Sequence, residues 1–110
     1  MTKSKFDMVD MLRRAKENMI VGHNRDDQLI EELIRSAVSY AEEYQHLEEG
    51  RYERKKMPKT TEQAVIMLTS HWYESRDGGT AGFFGDNVSA SSNIMETVNA
   101  LLIRNRVWEV

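Results

Sequence analysis

Three histidines, His23, His46 and His71, are the side chains of this 110-residue sequence best suited to proton transfer or metal ligation. They fall in different segments, and none has a ligand-type partner three or four residues away, the spacing that puts two side chains on one helix face. That argues against a metal site. A general base also needs a second group to orient it, and His71, set among apolar residues, reads as a hydrogen-bonded core side chain. With no cysteine there is no thiolate ligand, no thiol nucleophile and no disulfide framework, which favours a reducing compartment. Residues 78–90, GGTAGFFGDNVSA, hold four of the six glycines. No lysine follows those glycines and no strand precedes them, so they make no phosphate cradle. Met67, Trp72 and Tyr73 suggest a ligand box, but bulky side chains at helical spacing are usually core. The carboxylates lie on the polar sides of amphipathic patterns. These residues predict a protein that is not an enzyme and takes no cofactor and no metal.

The elements that would position any site are helical. Residues 58–77, PKTTEQAVIMLTSHWYESRD, begin with the only proline, where a helix tolerates a missing N–H, and Thr60 with Gln63 has the spacing of a capping box. Residues 64–68 are apolar without a break, so this helix needs cover on several sides and is expected at the centre of the fold. Leu68, His71, Trp72 and Tyr73 are its expected core anchors. Earlier in the chain, Phe6, Val9, Leu12, Ala15 or Lys16, and Met19 recur at helical spacing, with Gly22 placed to end that helix. Asn24 then caps a second helix, whose apolar ladder includes Leu29, Ile30, Leu33, Ile34, Ala37, Tyr40, Ala41 and Tyr44. Leu33 and Ala37 are its anchors, and Glu31, Glu32, Arg35, Glu42 and Glu43 share the wet face.

Two segments lack a periodic pattern. Residues 46–59 are dense in mixed charge, with Gly50 to stop the second helix, and read as an exposed connector in which Arg51, Arg54, Lys55 and Lys56 form a basic cluster. The glycine-rich stretch reads as a long loop carrying Phe83 and Phe84, which either fold back on the core or anchor on another chain. Ser91 or Ser92 then caps a last helix bearing Ile94, Met95, Val98, Leu101 and Leu102, followed by a tail with Trp108 exposed or docked. The expectation is an all-α single domain over residues 1–110: a bundle of about four helices near 6–20, 25–47, 60–76 and 92–104, with the glycine-rich loop before the last. A formal charge of −3 removes the broad attraction that non-specific nucleic-acid binders use. No apolar run approaches the roughly twenty residues of a membrane span, and acids stand where a signal peptide would be apolar, so a soluble, unexported protein is expected.

The pairing of DDQLIEELIRSAVSYAEEY at 26–44 with QAVIMLTSHWYESRD at 63–77, and then ALLIRNR at 100–106, resembles the head-to-tail connector (adaptor) proteins of tailed bacteriophages and prophages. The most specific part is His71-Trp72-Tyr73-Glu74 with Arg76. Two departures from the family pattern are the absence of a proline and glycine opening the last segment and a longer first helix. The resemblance implies a structural subunit of the virion head-tail junction, present in the host cytoplasm before assembly. Such a subunit forms a ring with about a dozen copies of itself under the portal protein, extends the channel through which DNA passes, and carries a tail or head-completion protein; no membrane is involved. An acidic chain suits a channel that must not hold DNA. Phe83, Phe84, Arg51, Arg54 and Lys55 are the candidate interface residues. A small helical regulatory or DNA-binding protein is the alternative, with the first two helices as a helix-turn-helix, but the second helix is acidic on its exposed face.

Overall fold

The computed structural model describes residues 7–75 and 88–107, with side chains over 7–75 and 93–107. The helices are α1 (Met8–Met19), α2 (Asp27–Tyr44), α3 (Arg51–Arg54), α4 (Lys59–Ser75) and α5 (Val88–Leu102), and a 3-10 turn, η1 (Ile103–Asn105), follows. Among the described residues there is no strand, and no helix is long and apolar enough to cross a membrane. The chain is all α, and its four long helices are the four expected. Phe6, residues 78–87 of the glycine-rich stretch with Phe83 and Phe84, and Trp108 lie outside the described residues, while residues 88–90, expected in the loop, open α5.

Helix α4 packs against α5, α2 and α1. Its buried residues, Thr61, Ala64, Val65, Ile66, Leu68, Thr69 and Ser70, cover most of its circumference, as the unbroken apolar run predicted, and leave a narrow wet side at Gln63 and Glu74. Each large aliphatic side chain so covered contributes about 1.5–3 kcal/mol relative to exposure. Around α4, α2 supplies Ile30, Ile34, Ala37 and Ala41, α1 supplies Met11 and Ala15, and α5 supplies Val98 and Leu102. Polar contacts fix the register of α1 on α4. Arg14 pairs with Glu62 at 3.1 Å, and the Ser70 hydroxyl donates to Asn18 at 2.9 Å.

The structure shifts the core face of α1. The stripe that packs inward is Met8, Met11, Leu12, Ala15 and Met19, a true 3.6-residue period, whereas Val9 points outward at 79% exposure. Asp7 caps the helix by accepting the Asp10 N–H at 3.2 Å. The guanidinium of Arg13 holds the Asp10 carboxyl below the ordinary carboxylate range.

Helix ends depart most from expectation. α1 stops not at Gly22 but at Ile20, which is left-handed at φ 59°. The Ile20 N–H donates to Glu17 O at 3.2 Å and the Val21 N–H to Lys16 O at 2.9 Å, the paired bonds of a Schellman cap. α2 ends in the same way, several residues before Gly50. His46 has φ 64°, its N–H donates to Glu43 O at 3.1 Å, and the Leu47 N–H donates to Glu42 O at 2.8 Å. Asn24 does not cap α2; its side chain accepts from Lys16 Nζ at 2.8 Å, and Lys16 also pairs with Asp27 at 2.8 Å. At α4 the helix begins at Lys59, and Thr60 accepts from Asn105 Nδ2 at 3.0 Å rather than closing a capping box. α5 begins at Val88, so the helix is already under way at Ser91 and Ser92.

Candidate assembly surface

The segment expected to be an exposed connector is partly core. Tyr52 and Met57 are each 3% exposed, and residues 51–54 form α3. A four-residue helix cannot sustain itself, so something must hold its start. Gly50, at φ 83°, turns the chain so that its own N–H and that of Tyr52 point at the Glu42 carboxylate, at 3.1 and 3.0 Å. Glu42, placed by sequence on the wet face of α2, is 4% exposed for this reason. A buried carboxylate is tolerable when N–H donors converge on it at a helix start.

One turn further along α2, Gln45 is fully buried and joins four helices. Its Nε2 donates to Thr61 Oγ1 at 3.0 Å and to Leu102 O at 2.8 Å, and its Oε1 accepts from the Tyr52 hydroxyl. Burial pushes the Tyr52 phenol up from its ordinary range. Arg106 and Val107 fold over this hub. The Val107 N–H donates to Gln45 O at 2.8 Å, and Arg106 Nη2 donates to His46 Nε2 at 2.8 Å. His46 is thereby the Nδ1–H tautomer, which donates to Val107 O at 3.1 Å. The Arg106 guanidinium also lies 4.9 Å from the centre of the Tyr44 ring, which stacks on Tyr40 at 6.3 Å, and Tyr40 donates to Asn99 at 2.8 Å.

Beside α3 an open cleft of about 560 Å³ has Met8, Val38 and Tyr52 as its apolar lining and Arg35, Glu49 and Glu53 among its charged residues. Among the described residues no three His, Cys, Asp or Glu side chains converge to hold a metal. The geometry offers a rigid helical body with charged edges and a shaped recess.

Over residues 9–106 the chain matches the family model described as phage gp6-like head-tail connector protein. The chain belongs to that family. No curated protein and no solved structure is significantly similar to it.

Within this connector, the residues singled out from sequence divide by place. Ala37 and Leu68 lie in the buried core. Trp72 and Tyr73 are half-buried and pack against it, and the Tyr73 hydroxyl donates to Asp26, tying α4 to the start of α2. His71 and Leu33 are also half-buried, and Leu33 lies outside the main core cluster. Of the basic cluster, Arg51 is partly buried, while Arg54, Lys55 and Lys56 are exposed. Arg54 pairs with Glu48 and donates to Gly50 O at 3.2 Å, so it braces α3 as well as facing water. Phe83 and Phe84 lie outside the described residues. The buried Glu42 and Gln45 were missed by sequence reading. Their one signal was a Gly50 and Tyr52 eight and ten residues past Glu42, and nothing in a mixed-charge run says which acid turns inward.

Proposed function

We propose that this chain is a single-domain structural subunit of the phage head-tail junction, which forms a closed ring beneath the portal protein, prolongs the DNA channel and seats a tail or head-completion protein. The family match over residues 9–106 carries the reading. The all-α body, with a core organised around α4 and a polar hub tying α2, α3, α4 and α5 together, supports it as a stiff building block. On this reading the protein is a virion part and not an enzyme, and it waits in the host cytoplasm before assembly. DNA passes it without specific binding, in keeping with its net negative charge.

Phe83, Phe84, Arg51, Arg54 and Lys55 are proposed to contact neighbouring parts of the junction. A helix-turn-helix alternative has less support: residues 20–26 separate α1 from α2, longer than such a turn, and Glu32 and Glu43 stand on the exposed side of α2.

The test is binding to purified portal-bearing heads, viewed by electron microscopy. A ring of added density at the portal vertex is expected, with none on heads that lack a portal. Deleting residues 79–86 is expected to abolish attachment while leaving the melting temperature nearly unchanged. Tight binding of the isolated protein to a short duplex at physiological salt would sink the reading.

A further inference from the structure

Ile20 combines two unfavourable properties. It is 91% exposed, and it holds a left-handed backbone that β-branched residues rarely adopt. Glycine or asparagine would close the same Schellman cap with less strain. The isolated chain gains no burial in return for either property. A side chain kept under such conditions is explained if it is buried elsewhere.

The recess that fits it lies at the other end of the same hairpin. α1 and α2 run antiparallel: Lys16 meets Asp27 near the turn, and Met8 joins Val38 in lining the cleft at the far end. Twelve residues of α1 at about 1.5 Å rise each put Ile20 about 18 Å from that cleft. Val9, at the cleft end, adds a second exposed apolar side chain there. The charges are also opposite. The exposed Arg25 stands just past the knob, on the α1–α2 turn, while the exposed Glu49 and Glu53 line the cleft beside Arg35 and Arg54, the latter paired with Glu48, which with the buried Glu42 leaves its lining one negative charge in excess.

An apolar knob and a recess that sets Met8 and Val38 within a largely polar lining, at opposite ends of one hairpin, form a head-to-tail pair of the kind that closed rings use, and not the self-matching patch of a two-fold dimer. We infer that Ile20 of one copy seats in the Met8, Val38 and Tyr52 cleft of the next copy, with Arg25 set against Glu49 and Glu53. This surface assignment rests on the ring reading above and names the contact that such a ring would use. Ile20 acts as a central anchor of the kind that dominates interface energetics.

Because the chain has no cysteine, the contact can be trapped directly. A double variant, Ile20→Cys with Ser39→Cys, places one thiol on the knob and one on the cleft wall. The two are too far apart to bridge within a subunit, since a disulfide needs Cα atoms within about 7 Å. Oxidised at millimolar concentration, the double variant is expected to give a ladder of dimers, trimers and larger species, and each single variant at most a dimer. In parallel, Ile20→Asp is expected to weaken self-association measured by light scattering about tenfold or more, which is about 1.4 kcal/mol or more, at an unchanged or higher melting temperature. No ladder, or equal ladders from the single variants, overturns the assignment. If the native chain still forms rings on portal-bearing heads, only the surface assignment falls; if it neither self-associates nor binds such heads, the connector reading falls with it.

Discussion

The Glu42 carboxylate accepts the backbone N–H of Tyr52 at 3.0 Å, so a residue on α2 starts a helix that lies ten positions further along the chain. That bond, with its partner to Gly50, converts a charged stretch into part of the core. It also brings Tyr52 to the cleft and sets its hydroxyl on Gln45.

Glu42→Ala is expected to destabilise the protein by about 2–3 kcal/mol, because two N–H groups lose a charged acceptor in a buried place. Glu42→Gln, which keeps one acceptor oxygen, should fall between this and the native protein. Urea midpoints for the three proteins check the order. Equal midpoints would mean that α3 is held by something else.

Gln45→Leu keeps much of the volume but takes one partner from each of the Tyr52 hydroxyl, the Thr61 hydroxyl and the Leu102 carbonyl, at about 1–3 kcal/mol for a buried group left unpaired. Amide exchange should then quicken at Val107 as well, since its N–H donates to Gln45 O. Unchanged exchange there would separate the two contacts.

Ile20→Gly removes an exposed side chain from a left-handed position. Stability is expected to rise by about 1 kcal/mol, equivalent to about 4 °C or more in melting temperature for a domain of this size. Calorimetry decides it, and a fall would show that the Ile20 side chain is covered in the free protein.

The raised ionisation of Tyr52 makes stability fall in alkali. Its folded pKa lies above the ordinary value near 10, so the native state holds its proton where the unfolded chain has lost it. The contribution is full below pH 10 and is lost as pH rises through the folded pKa. Tyr52→Phe should flatten the loss of stability as pH rises above 10 in denaturant titrations; an identical slope in both proteins would contradict the burial of the phenol.

Trp72→Ala is expected to cost about 2 kcal/mol, less than the roughly 3–5 typical of a fully buried tryptophan, because Trp72 is half-buried where it packs against the core. A shift in urea midpoint with native-like helical ellipticity at zero denaturant is the expected pattern.

Long-range periodicity was legible in the sequence, and local termination was not. The four long helices and the central place of α4 follow from where apolar side chains recur, a property summed over many residues. The caps depend on single backbone dihedrals. Glycine is the residue that most favours a left-handed end, so Gly22 and Gly50 were natural choices, yet the chain uses Ile20 and His46, and no pattern in their neighbours marks them. The face of α1 was misjudged at Val9 because a repeat of three drifts from 3.6 over several turns. The assembly residues were harder still. Glu42 turns inward only because Gly50 and Tyr52 return to it through space, and a cleft wall assembled from α1, α2 and α3 has no signature in any one of them.

The contacts of Gln45 have a consequence for biosynthesis. Gln45 is polar, fully enclosed, and finds its partners at very different distances along the chain: Tyr52 and Thr61 soon after it, Leu102 only 57 residues on. Until α5 has left the ribosome, α4 lacks it as cover and the amide of Gln45 lacks its carbonyl. The core therefore closes last at α5, which acts as the bolt on a bundle whose other helices are already made.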